Sequence, residues 1–238
     1  MFNIPEKYYI GKDIALKDFI PQNLKPNDKK KIRNCVNSAR LEYQIVGEDI
    51  PSVNNEEYHC ETIQFYDISV NDIKQSGYIA KTYQSIIKSL CIIRLHDIGK
   101  ELYSFALKRL SQINEEQIIV TDSMLTDTYP TVLEHEGKDE LHKLLDYESI
   151  KNKTDKINFY TEMYCKAYIL KNNKAYSKSQ ELLDSNAWYD TVRMNRMLTY
   201  YQGMVNAKKS LKNVNTNVEK ININKEIKKY IELLDKEL

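Results

Sequence analysis

"CIIRLHDIGKELYSFALKRL" (residues 91–110) decides how the chain is read. Taken one way, His96–Asp97 is an adjacent metal-binding pair, in which a neutral imidazole and a carboxylate hold a divalent ion that generates a hydroxide nucleophile. Taken the other way, "CIIRL" is a short β-branched strand and "KELYSFALKRL" is its partner, alternating Tyr103, Phe105 and Leu107. Between them "HDIGKE" is turn chemistry: Asp97 can accept nearby backbone amides and Gly99 can take a positive φ. A hydrolase pair of this kind belongs on a helix, helped by an upstream His and a distant Asp. The upstream candidate, His59, instead lies in the polar entry to another strand. The hairpin accounts for every residue of the stretch and is the expectation adopted. Metal-dependent hydrolysis at His96 and Asp97 is the alternative.

Working outward, "YIAKTYQSIIKSL" (78–90) places Ile79, Tyr83, Ile86 and Leu90 on one helical face. Before it, "CETIQFYDISV" (60–70) has apolar residues on both faces, as a central strand does, and "RLEYQIV" (40–46) alternates Leu41, Tyr43 and Ile45. "KPNDKKKIRNCVNSA" (25–39) reads as a helix capped by Asn27 or Asp28, with Ile32, Val36 and Ala39 as its stripe. "QIIVTDS" (117–123) supplies a final strand. The order predicts an α+β fold over residues 1–130: a mostly antiparallel sheet of about five strands with flanking helices.

The remainder, 131–238, holds no proline and beyond Gly137 only Gly203, which permits long helices. The expectation is a helical extension, partly coiled-coil. Its apolar series are Phe159, Met163, Ala167 and Leu170; then Met194, Met197, Tyr201, Met204 and Leu211; then Ile223, Ile227, Tyr230 and Leu234. These seams are buried either within the chain or on a second copy or another subunit. Met197, Tyr201, Met204, Ile227, Tyr230 and Leu234 are therefore the candidate partner-binding residues.

Composition narrows the chemistry. With 35 basic and 34 acidic residues, no global field marks a nucleic-acid or membrane binder. No stretch approaches the roughly 20 apolar residues that span a bilayer, and "MFNIPEKYYIGKD" lacks the apolar run of a secretory signal, so a cytoplasmic protein is expected. Cys35, Cys60, Cys91 and Cys165 sit singly, as buried thiols do, without the paired spacing of a zinc site. His135 and His142 are two helical turns apart rather than one, so "LEHEGKDELH" is not a zincin motif. Glu61 and Asp67 lie on a strand, but the Glu-x-Lys of a restriction-type nuclease does not follow. No glycine-rich phosphate loop or nucleophile elbow is present, and no cofactor is called for. Lys108 and Arg109 at a strand end, with Lys208, Lys209 and Lys212, are the candidate nucleic-acid contacts.

"FALKRLSQINEEQIIVTDSMLTDTYP" (105–130), with the opening "FNIPEKYYIGKDIALKDFI" (2–20), the strand "ETIQFYDISV" (61–70) and the charged tail "NVEKININKEIKKYIELLDKEL" (217–238), resembles the prokaryotic domain-of-unknown-function family numbered 4391. The resemblance covers almost the whole chain. It departs from the family at Tyr129, where a tryptophan is common. The family carries no catalytic residues to transfer. Its genes typically lie beside DNA methyltransferases and helicases. The resemblance thus implies a non-catalytic accessory protein of a restriction-modification-like or anti-phage system, meeting a methyltransferase or helicase subunit, itself, or DNA. A direct DNA-binding module and a metal-dependent hydrolase or nuclease are the rival expectations.

Overall fold

A computed structural model describes residues 1–22, 24–114 and 117–238, which form two compact units, Met1–Tyr164 and Cys165–Leu238. The expected division after Pro130 lies inside the first of these. In chain order that unit holds β1 (Tyr9–Ile14), α1 (Leu16–Phe19), α2 (Pro26–Cys35), β2 (Val36–Ile45), β3 (Val53–Asn54), β4 (His59–Cys60), β5 (Ile63–Val70), α3 (Ser76–Ile86) and β6 (Leu90–His96). It continues with β7 (Lys100–Leu110), β8 (Ile118–Leu125), β9 (Tyr129–Pro130), α4 (Glu136–Leu144) and the start of α5 (Lys156–Lys171), which crosses the boundary.

The fold is α+β. One sheet runs β1-β2-β5-β6-β7-β8, with β9 on β7 as its seventh strand, and β3-β4 form a separate ladder. Every pair is antiparallel except β5–β6, which α3 connects and which is therefore parallel. The sheet exceeds the expected five strands by β1 and β9. β1 is a mostly exposed edge whose Gly11 has positive φ, and β9 has two residues, so neither carries a readable alternation.

Three local expectations are corrected. Val36 and Ala39 belong to β2, because α2 ends at Cys35 where the strand begins. Leu90 opens β6 instead of closing α3. Leu41 and Tyr43 do not share a face: a register shift between them pairs Leu41 with Tyr66 and Tyr43 with Phe65, which point to opposite sides.

On one face of the sheet α2 and α3 bury Ile32, Cys35, Ile79 and Tyr83 against Ile68, Val70, Ile93 and Leu95. Phe19 stacks on Tyr83 with centroids 3.9 Å apart. On the other face Phe2 packs on Tyr103. The β6–β7 ladder covers Ile93–His96 against Glu101–Ser104. Where it stops, side chains bond the released backbone. Tyr160 donates its hydroxyl to the Cys91 carbonyl (2.8 Å) and accepts from the Ala106 amide (2.9 Å). Gln84 Nε2 donates to the carbonyls of Cys91 and Ser104. These contacts satisfy buried polar groups that the splayed strands leave open.

The second unit contains α6 (Ser179–Asp184), α7 (Thr191–Leu211) and α8 (Asn217–Asp235), the last two packed together. Gly203 lies against the Tyr230 ring so closely that a Cβ would overlap it, which is why glycine stands in mid-helix. Arg196 forks onto Glu237 at 2.8 and 3.1 Å, fastening the end of the chain to α7. Met194, Met197, Tyr201, Met204, Ile227 and Leu234 are all buried within the chain, and Tyr230 is half-buried. The Tyr201 hydroxyl meets Ser179 Oγ at 2.8 Å and donates to the Asn172 carbonyl at 2.9 Å. Among the described residues, no helix is long and apolar enough to cross a membrane.

Candidate functional site

β7 carries polar side chains at both ends. At its start, the β5–β6 register sets Asp67 beside Arg94, and the β6–β7 register sets Arg94 beside Tyr103 and His96 beside Glu101. The Arg94 guanidinium lies between two carboxylates. Nη1 donates to Asp67 Oδ1 (3.1 Å), Nε donates to Glu101 Oε2 (3.0 Å), and Nη2 bonds the same Glu101 oxygen. Lys138 from α4 pairs with Glu101 Oε1 at 3.0 Å, and the Tyr103 hydroxyl reaches that oxygen at 3.3 Å and His142 Nε2 at 2.8 Å. The Glu101 side chain is 1% exposed. Burial alone would raise its pKa, but the bonds from Arg94 and Lys138 outweigh this and hold it below the usual carboxylate value. Outward across the sheet the row continues to Arg40 and Asp13, paired at 2.7 and 3.2 Å.

His96 ends β6 and points at Asp67, with Nε2 3.4 Å from Oδ2. That hydrogen bond raises the imidazole pKa above its ordinary value. Asp67 is itself held low: the His96 bond and the Arg94 charge overcome burial. Asp97 lies in the turn. Its Oδ1 accepts from the Gly99 and Lys100 amides (2.9 and 2.8 Å), its Oδ2 accepts from Ile73 N (3.0 Å), and its own amide donates to the Lys100 carbonyl. The hairpin expectation holds. The positive φ expected at Gly99 does not occur, because the Asp97 carboxylate organises the turn. Among the described residues, no group of three His, Cys, Asp or Glu side chains is placed to hold a metal ion.

Beside the turn, Thr131 N donates to the Gly99 carbonyl at 3.0 Å, extending the β7–β9 pairing. Ile98 and Val132 therefore stand on adjacent segments. They are 98% and 86% exposed, with Leu133 at 73%.

The far end of β7 differs. Lys108 is buried, and its ammonium donates to the carbonyls of Ile87 (2.8 Å) and Ser89 (2.9 Å) and lies 3.4 Å from Cys91 Sγ. Burial depresses its pKa. An ammonium so engaged is not offered to a phosphate. Arg109 faces a recess lined by Tyr58, His59, Lys88, Leu90 and Ile157, among others. His59 is half-exposed and sits 3.4 Å from Glu61. Of the C-terminal lysines, Lys208 bonds the Ala175 carbonyl, whereas Lys209 and Lys212 are exposed.

Sequence reasoning missed Arg94, Glu101, Tyr103, Lys138 and His142 as one cluster. The available signal was a charged residue inside each of two otherwise apolar strands, "CIIRLH" and "KELYSFA". Lys138, 37 residues beyond Glu101, left no local trace.

No curated protein and no solved structure matches the chain. A family model matches residues 2–234, and the chain belongs to that family, described as a domain of unknown function (DUF4391).

Proposed function

We propose that the protein is a non-catalytic accessory subunit of a bacterial restriction-modification-like or anti-phage system, acting in the cytoplasm by contact with a methyltransferase or helicase. The position of Arg94 carries this reading. A metal-dependent hydrolase needs carboxylates free to take an ion. Here a guanidinium within bonding distance of both Asp67 and Glu101 already supplies the compensating charge. His96 is turned to Asp67, and Asp97 to three backbone amides. The exposed Ile98, Val132 and Leu133 supply an apolar contact surface beside this rigid cluster. The class of partner comes from the family resemblance.

Isolation of the tagged protein from its native cell at low salt tests the reading. A methyltransferase or helicase should co-elute and should be lost with Ile98→Asp or Val132→Asp, which leave the buried core untouched. Recovery of the protein alone, with neither protein nor DNA, would defeat it. Metal analysis of the wild type and His96→Ala addresses the hydrolase alternative: bound metal that disappears in the variant would favour it.

Direct DNA contact is the second reading, favoured by the exposure of Lys209 and Lys212 and by Arg109. Affinity for duplex DNA would then fall steeply with added salt.

A further inference from the structure

The splayed end of β6–β7 leaves a small, half-open recess. Cys60, Leu90, Leu110, Ile118 and Ile157 give it an apolar floor, and His59, Lys88, Lys108 and Arg109 are its charged or titratable lining, with no carboxylate among them. Chain crossing explains the arrangement. Leu110 N donates to the Glu57 carbonyl at 2.8 Å, drawing the segment that leads into β4 to the end of β7. Neither Lys88, which is exposed, nor Arg109 has an ion-pair partner among the described residues, whereas His59 has Glu61 and Lys108 has its carbonyls. Arg109 Nε is buried and makes no hydrogen bond.

A buried guanidinium N–H without an acceptor loses its hydration and gains nothing in return. A tetrahedral oxyanion suits the two cations of the lining: it accepts from a guanidinium through two oxygens and leaves a third for an ammonium. We propose that the recess formed by Arg109, Lys88 and the apolar floor is a binding site for a phosphate-class oxyanion. Arg109 grips it through its fork and Lys88 closes over it from the exposed side. Lys108 shapes the wall and does not touch the ligand. The site is separate from the contact surface at Ile98 and Val132 and does not depend on the accessory reading.

The test is calorimetric titration of the full-length protein with inorganic phosphate, against chloride at matched ionic strength. Saturable single-site binding is expected. It should weaken roughly tenfold or more in Arg109→Gln and in Arg109→Lys, which keeps the charge but loses the fork, and several-fold in Lys88→Gln. Arg40→Gln, a cation outside the recess, should bind as the wild type does. Should Arg109→Gln fail to fold, Arg109→Lys and Lys88→Gln decide the matter. Absence of saturable binding, or binding indifferent to Arg109→Lys and Lys88→Gln, overturns the proposal. Competition then separates two sources of the same chemistry. Displacement by a nucleoside monophosphate identifies a terminal phosphate ester. Displacement only by an oligonucleotide lacking terminal phosphates identifies the nucleic-acid backbone.

Discussion

The two ends of β7 hold similar residues in opposite electrostatic states. At Glu101, carboxylates and cations from four elements are interlocked until every charge has a partner. At Arg109, cations gather with no carboxylate in the lining. The first end has more titratable groups and would draw more attention as an active site. It is nonetheless the second that has unmet bonding capacity. The number of charged side chains in one place is a weak indicator of a ligand site; the number left without partners is a better one.

Several variants would break or sharpen this contrast. Arg94→Met should have the largest effect. It leaves Glu101 buried with Lys138 as its sole ion partner, at a cost of about 3 kcal/mol or more, measured by urea unfolding. A loss below about 1 kcal/mol would mean that the cluster is not an interlocked unit. Asp97→Ala removes the acceptor of three backbone amides and should cost about 1–3 kcal/mol with no change in bound metal. A fall in metal content would move His96–Asp97 from the turn to the chemistry. Lys108→Met should be milder, about 1 kcal/mol or less. It frees two carbonyls but also removes an ammonium that burial already penalises. Phosphate affinity should not change in this variant, whereas a tenfold loss would place Lys108 in the site.

The smallest expected effect concerns pH. The folded-state pKa of His96 is raised, so its contribution to stability is fully present below about pH 6.5 and is lost as pH rises through the folded value. The stability difference between wild type and His96→Gln should thus be greater at pH 5.5 than at pH 8. His142 runs the other way. Burial lowers its pKa, so its contribution is present above the ordinary value and fades as pH falls. His142→Gln should show the opposite trend in the same assay.

Much of the fold was legible because it rests on local periodicity. β5 to β8 and α3 stand within a few residues of where alternation and helical spacing place them. β1 was missed because "YIGKDI" is a charged edge strand, and the face of Tyr43 was misread because a register shift leaves no mark in a short apolar alternation. Of the candidate residues, Met197, Tyr201, Met204, Ile227 and Leu234 were rightly seen as needing burial, but periodicity does not say against what.

The sequence by itself determined which segments are strands and helices, and that His96 and Asp97 close a hairpin, since propensity and turn chemistry act between near neighbours. Only the tertiary structure decided which charges cancel. Arg94 meets Asp67 through a parallel register that α3 imposes, and Lys138 reaches Glu101 from a helix far along the chain. Lys108 and Arg109 are adjacent in sequence, yet one is satisfied by carbonyls and the other is left with a bare guanidinium nitrogen. Coulomb and hydrogen-bond energies depend on separation in space and on access to water, and neither is fixed until the strands have paired.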